Sequence, residues 1–575
     1  METVRNNKII KKKYLQFFYS VLFSVLILQV TTIVDSIIVG TLIGTKEMSG
    51  VKASNPIISF VAVFATLIAV GLSNVISISL GKRNNKKASS AFTYGLLLCI
   101  GIGLLFTLIG IILSDVIVST ITSNADILEY AQRYVRIVII SSPFIMLASY
   151  LGYAIRSDGF SRLSMTLLIA SGFINVCFDL IFILAFKLGV DGAAIATDIS
   201  YVSSNLIGCI YFLKKNRNLH LVNIFKKDSE IKDITIRFLK NGYPSASRLL
   251  FNSISLIIIN FIVGKYVGYM GIAVFSVISN IGLISSAVFQ SSGASMMPIM
   301  GVLYGEKDYK GIGLLVKFVF LFLLMLILVI VLLIEILAPL FFPLFGIKDA
   351  PNEYVIILRL YAIGFIFTGI NYILLYYYTT LQKSYLGIII TLLEQIIILV
   401  PLNLILIPNI GLYGLVIAFI ASEFGTTLIT LLIVYIIKQK KNYKNILLLP
   451  KERSDVLLDF TILASKIDAV EVSKNVLSIL IENKIDKNKA NRISLILEEM
   501  IINTIKEKEK HNTSYVDIKI IKGEENVIIS LRSNGNPYNP LIENEEDISQ
   551  KIISSFAIKL KYNQIMGFNQ TLIEV

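Results

Sequence analysis

The chain has 575 residues, 55% of them hydrophobic and 16% charged, with a mean hydropathy of +0.75. Soluble domains sit near 45–50% apolar and about 25% charged, so most of this chain must face lipid or other buried helices. The net charge of +14 lies largely in short loops between apolar runs, with no aromatic-interleaved basic patch, which argues against nucleic-acid binding. Cys99, Cys177 and Cys209 lie apart within apolar segments, and only His220 and His511 accompany them, which argues against a zinc or Cys–His catalytic site.

The basic N-terminus (Arg5, Lys8, Lys11, Lys12, Lys13) leads into an apolar run with no small-residue cleavage site, read as a retained first helix. Runs long enough to cross ~30 Å of hydrocarbon follow. They place spans at 14–40, 54–80, 91–114, 131–155, 164–187, 191–213, 244–264, 272–300, 313–342, 354–381, 385–407 and 411–437. Basic loops at 81–87, 156–162, 214–248, 305–310 and 438–444 alternate with loops poor in Lys and Arg. By the positive-inside rule this puts both termini in the cytoplasm and requires an even number of spans, which twelve satisfies. The expected architecture is an α-helical polytopic protein of the plasma membrane. It has six-helix bundles at 1–220 and 221–440 and a small cytoplasmic α/β sandwich at 441–575.

The two bundles repeat each other. Val39-Gly40 and Gly44 match Val263-Gly264 and Gly268 at an offset of 224, as Gly81 matches Gly305. Gly189, Gly192 and Ala196 match Gly411, Gly414 and Ala418 at 222. Six spans per copy preserve orientation, so the repeats are parallel, and such halves suit a midplane site between two bundles.

Ionisable groups at mid-bilayer cost roughly 2.5–3.5 kcal/mol on insertion scales and ask for a reason. The first half places Asp35 in span one and Asp179 in span five, with Asn175 one turn before Asp179 and Thr197 in the next span. These oxygens form a donor set suited to Na⁺, and two facing carboxylates can share a proton. Their repeat counterparts, Ile259, Ile397, Pro401 and Phe419, are all apolar. Folding alone would more readily keep such a set in both copies. A coupling-cation site at Asp35 and Asp179 is therefore weighed above buried structural hydrogen bonds. In the second half, Glu394 and Glu423, with Arg248 near the start of span seven, either line a substrate path or pair with one another. Tyr376-Tyr377-Tyr378 reads as packing or an interfacial belt rather than a drug-binding cage.

VDSIIVGTLIGTKEMSGVKASNP (34–56), Arg156-Ser157-Asp158-Gly159, NVCFDLIF (175–182), GVDGAAIAT (189–197), GYPSASRLLFNSIS (242–255) and the run ending at Glu423 resemble the multidrug and toxin extrusion family over residues 10–440. The resemblance implies twelve helices in two bundles that export organic cations or other amphiphiles against Na⁺ or H⁺. It implies no cofactor beyond that ion. It also implies a cation site at Asp35, Asn175, Asp179 and Thr197. Some members use an acidic residue in span seven, where this chain offers only Asn252 and Asn260.

After Pro450 the pattern becomes that of a soluble α/β domain, with strands near 455–465, 515–521 and 527–532 and amphipathic helices near 468–483 and 488–507. Glu499-Met500-Ile501-Ile502-Asn503 and LRSNGNPYNP (531–540) resemble motifs of the histidine-kinase and anti-sigma-factor type of ATPase. That likeness implies a water-polarising role for Glu499 and nucleotide contacts at Asn503, Ser533 and Gly535. Ser533 stands where the adenine-contacting Asp is expected, and DISQKIISS replaces the glycine-rich lid. The domain is therefore expected to be a degenerate, inactive ATPase relative that regulates the bundles or binds a cytoplasmic protein. The competing readings are a flippase of lipid-linked precursors and a membrane-anchored signalling protein with a kinase-like tail. The expected partners are a cationic or amphiphilic small molecule and membrane lipid, with no nucleic acid.

Overall fold

The computed structural model describes all residues except 1–4, 7, 122–124, 215–216, 225–227, 346, 348–350, 444, 451–454, 464–465, 507–514, 524–525 and 535–547. These residues form two compact units. One comprises Gln16–Lys307 and Val316–Leu448; the other comprises Met1–Leu15, Asp308–Leu315 and Leu449–Val575. The second grouping departs from a simple division at residue 441, because it takes in the N-terminal residues and the lead-in to the ninth span.

Among the described residues, eleven helices are long and apolar enough to cross a membrane, so the protein is a multi-pass membrane protein. Ten correspond to single expected spans. The eleventh, Ser384–Lys440, has 57 residues and would measure about 85 Å at ~1.5 Å per residue, far more than one crossing needs. Its backbone leaves helical geometry at Ile410 and Gly411, which divides it into the last two expected spans. Gly411 has φ +58° and ψ −136°, and its repeat partner Gly189 has φ +58° and ψ −133°. Both halves thus start their sixth span on the same left-handed backbone, which glycine adopts without a Cβ clash.

Several helices run past the apolar windows. The helix carrying span seven covers Asp228–Tyr266 rather than starting at 244, so much of the supposed 214–248 connection is helical. Arg248 accordingly lies about midway along it. A hydropathy window missed this start because the first turns (DSEIKDITIRFLKNG) are polar.

The other unit carries an antiparallel five-stranded sheet of order β1-β2-β3-β5-β4. Its strands are β1 (Val456–Leu463), β2 (Tyr515–Lys522), β3 (Val527–Ser533), β4 (Lys559–Ile565) and β5 (Phe568–Glu574). Phe460, Ile462, Val516, Ile518, Ile520, Ile529 and Leu531 alternate onto one face. There they share a core with Val472, Val476 and Leu480 of helix Lys466–Glu482 and with Ile493, Leu497 and Ile501 of helix Lys487–Lys506. Strand alternation sends Asp459, Thr461, Asp517 and Arg532 to the opposite face. The register sets Thr461 against Asp517 and Asp517 against Arg532, so these three adjoin across β1, β2 and β3.

Candidate functional site

The structure brings Asp35, Asn175, Asp179 and Thr197 together. Asn175 and Asp179 lie one turn apart on helix Ser161–Leu180 and are both buried, while Asp35 is half-buried on helix Lys8–Leu42. The Asp35 and Asp179 carboxyls are within hydrogen-bond reach of each other. Among the described residues, no donor reaches either Asp179 oxygen or Oδ1 of Asp35. Asn175 Nδ2 donates to Thr197 Oγ1 at 3.4 Å, and the Thr197 hydroxyl donates to the Ala193 carbonyl at 3.0 Å. Two carboxyl groups this close, without protein donors, require a proton or a cation between them. Asn175, one turn before Asp179, and Thr197 on the next span add hard oxygen atoms to the neighbourhood.

Sequence reasoning missed one group that contacts this set and one carboxylate next to it in the chain. Tyr134 is buried and in hydrogen-bond reach of Thr197, and Asp198 is in reach of Ser141. The signal for Asp198 was present, since it is a carboxylate inside a span directly after Thr197.

A cavity of about 330 Å³ is lined mainly by second-half residues, among them Arg248, Tyr361, Tyr372, Tyr376, Glu394 and Glu423, with Gln29, Thr66 and Tyr153 of the first half also on its wall. Arg248 grips both Glu394 oxygens in a bidentate ion pair, and its guanidinium lies 3.8 Å from the centre of the Tyr372 ring. Glu423 accepts from Asn371 Nδ2 at 2.8 Å and is also within hydrogen-bond reach of Glu394. Glu394 thus both lines the cavity and pairs with Arg248. The helix widens to a π turn over Leu393–Ile397, which frees the Glu394 carbonyl to accept from Ser422 Oγ at 2.7 Å. One cation among two carboxylates gives the cavity an acidic and aromatic character.

The Tyr376–Tyr378 run is buried, so it forms no interfacial belt. Tyr376 lines the cavity, whereas Tyr377 and Tyr378 donate to the Leu447 and Ile446 carbonyls at 2.8 and 3.3 Å.

In the sheet domain, Asn503 and Ser533 are buried and Glu499 is half-buried; Gly535 lies outside the described residues. Neither Asn503 amide atom has a hydrogen-bond partner among the described residues. Glu498, beside Glu499, accepts from Ser473 Oγ at 2.9 Å.

The family model MatE matches residues 21–181 and 244–405, one segment in each half. A multidrug export protein, MepA, of Staphylococcus aureus strain MRSA252 is 23% identical over 440 residues, covering 75% of this chain and 94% of that protein. MepA of Staphylococcus haemolyticus is 27% identical over 231 residues, or 40% of this chain and 51% of that protein. In fold, the chain resembles a MOP superfamily transporter from Pyrococcus furiosus described as having a binding pocket of reverse polarity. The TM-score is 0.70 at 20% identity, covering 76% of this chain and 97% of that one. It resembles equally an outward-facing multidrug resistance MATE family transporter, with TM-score 0.70 at 20% identity over 75% and 97% of the two chains. With both halves matched by the family model and the helices arranged as in these structures, the chain belongs to the MatE family of multidrug and toxin extrusion transporters.

Proposed function

We propose that this protein exports cationic or amphiphilic small molecules across the plasma membrane in exchange for Na⁺ or H⁺. The observation that carries the reading is the Asp35–Asp179 pair, whose facing oxygens lack protein donors and so call for an exchangeable cation. The aromatic-walled cavity supports a cationic substrate, because aromatic faces favour one and the Glu423 carboxyl, beside the neutralised Arg248–Glu394 pair, can accept one. The export activity named for the MepA relatives agrees with it. Both termini are assigned to the cytoplasm from the basic loops. The test is uptake of a fluorescent organic cation into proteoliposomes under an imposed Na⁺ or pH gradient. Accumulation driven by one gradient and abolished by collapsing it is expected; equal movement without any gradient would refute coupled export.

A flippase for anionic lipid-linked precursors would favour a cavity of net positive charge, and here Arg248 is neutralised by Glu394 with Glu423 beside it. The tail is read as a regulatory relative of the ATPase fold without catalysis, because Ser533 replaces the acidic adenine contact. Saturable Mg²⁺-dependent ATP binding by the full-length protein that is lost in Asn503→Ala would overturn that part and revive the kinase-like alternative.

A further inference from the structure

The face of the sheet turned away from the domain's helices is not bare. Arg5 is buried there with its side chain 3% exposed. Its two terminal nitrogens fork onto both oxygens of Asp308, at 2.8 and 2.6 Å. The same nitrogens reach Asp459 Oδ1 at 3.3 Å and Asp517 Oδ2 at 3.4 Å. Arg532 closes the cluster, 3.2 Å from Asp308 and 3.8 Å from Asp517. Lys310 stands at the rim, 3.9 Å from Asp459. Arg5 thus contacts all three carboxylates, Arg532 two of them and Lys310 the third, with Lys519 adding positive charge toward Asp308.

The neighbouring residues extend the contact along the chain. The Asn6 amide donates to Thr461 Oγ1 at 3.1 Å, and the Thr461 hydroxyl donates to Asp517 at 2.8 Å. Lys8 lies over the Tyr515 ring at 4.8 Å and Lys13 over the Phe568 ring at 5.7 Å. Ile9, Ile10 and Tyr14 are buried.

The repeat provides a control for Asp308. It caps the ninth span by accepting from the Gly311 amide at 3.0 Å. Its counterpart at the same offset of 224, Asn84, accepts from the Lys87 amide at 3.0 Å in the first half. A neutral amide does the capping there, so capping does not need the charge at 308. Burial opposes that charge, but Arg5 and then Arg532 hold the Asp308 carboxyl well below the usual carboxylate range.

We infer that the C-terminal domain is a receptor for the chain's own basic N-terminal segment, with Arg5 as the key. Residues 5–13 and the Asp308 turn are the covalent lead-ins to the spans that begin at Lys8 and Tyr309. The cluster ties both lead-ins to one rigid sheet. It is a latch that restrains the first and ninth spans, and its release frees them to move. The restraint on transport rests on the export reading, whereas the docking does not.

The test uses full-length protein with Cys99, Cys177 and Cys209 replaced by serine and the pair Asn6→Cys and Thr461→Cys introduced. Mild oxidation is expected to cross-link the pair and lower turnover at least about fivefold, with recovery on reduction. Arg5→Ala is expected to slow cross-linking at least about tenfold, since it strips a buried cation from three carboxylates. It should also quicken hydrogen exchange at residues 308–315, and Arg5→Lys should recover part of both effects. Absence of the cross-link, cross-linking and exchange indifferent to Arg5→Ala, or unchanged turnover when locked would each overturn the latch. A reduced protein that moves no substrate would instead count against the export reading, leaving cross-linking and exchange to decide the docking.

Discussion

Gly81 and Gly305, the equivalent glycines of the two repeats, end helices that pack against each other's backbone. A Cβ on Gly81 would lie 2.1 Å from the Val302 carbonyl oxygen, and one on Gly305 would lie 2.4 Å from that of Ile78. Real Cβ atoms do not approach so closely, and backbone cannot step aside as a flexible side chain does. The two halves therefore meet here only because neither residue has a side chain.

This contact must open if the halves rock apart on this side during transport. Gly81→Ala and Gly305→Ala should each bias the protein away from the present state. A cysteine at Ser77, now buried in the same seam, should be alkylated at least several-fold faster in either variant. The double variant should show less than the summed effect, because both changes relieve one contact. Unchanged Ser77→Cys reactivity would mean that the seam tolerates a methyl group.

The first unit holds contacts as far as Leu448, beyond the boundary at 441 that composition suggests. Tyr377 and Tyr378 donate to the Leu447 and Ile446 carbonyls, and the Lys383 ammonium donates to that of Leu448. A chain ending at 449 keeps these acceptors and is expected to insert and transport. A chain ending at 440 leaves two buried hydroxyls unpaired, at about 1–3 kcal/mol each. It should lose several degrees of melting temperature in detergent. Equal melting of the two truncations would show that the carbonyls contribute nothing.

The cavity charges should separate into two kinds. Arg248→Ala leaves buried Glu394 without its counter-ion and should destabilise the protein by about 3–5 kcal/mol, visible as lost folded yield. Glu423→Gln keeps the Asn371 contact and removes charge. It should preserve folding while weakening a monocationic substrate about tenfold relative to a neutral isostere. If both substrates weaken alike, Glu423 acts through cavity shape.

Asp158 offers a pH readout outside the spans. Burial pushes its carboxyl up to about 6, although Tyr211 donates to it at 2.6 Å and the Asn218 amide at 3.2 Å. An acid whose folded pKa lies above its unfolded value near ~3.9 adds stability at low pH, and that contribution is lost as pH rises through the folded pKa. Stability should therefore fall between about pH 4 and 6, by at most about 3 kcal/mol for two pK units, and the melting temperature should fall with it. Asp158→Asn should flatten that component. A parent protein whose melting is flat over this range would contradict the assignment.

The spans, the repeat and the spacing of Asn175 and Asp179 were legible because each is a local periodicity that lipid or a helix imposes. The ends of the helices were less so. The turns of Asp228–Tyr266 before Gly242 are polar and leave no hydropathy signal, although they continue one helix. Strand β4 (KLKYNQI) lacks clean alternation, consistent with its edge position. Pairing of Arg248 with Glu394 was among the sequence readings, because apolar spans leave few charges to pair. The Arg5 cluster was illegible for another reason: Arg5 and Asp517 are 512 residues apart, in segments where charges are common, and no pattern along the chain links them before the fold does.

The Asp35–Asp179 pair carries the last prediction. Neither Asp179 oxygen has a protein donor among the described residues, although a buried carboxylate ordinarily collects two or three. A carboxylate kept for folding alone would be stabilised by donors, and Asn175 spends its amide on Thr197 instead. Moving one charge through 100 mV supplies about 2.3 kcal/mol, enough for roughly fifty-fold accumulation if one substrate charge equivalent is coupled to it. Asp179→Asn keeps the size of the side chain and gives Asp35 a donor, so folding should survive or improve. Gradient-driven accumulation should fall to the passive level, while binding of substrate to the detergent-solubilised protein changes less than about threefold. Asp35→Asn should do the same, and the double variant should be no worse than either, because one shared ion is lost in all three. Retained accumulation with unchanged ion dependence in either single variant would make these structural carboxylates and move the search for the coupling site to Glu394 and Glu423.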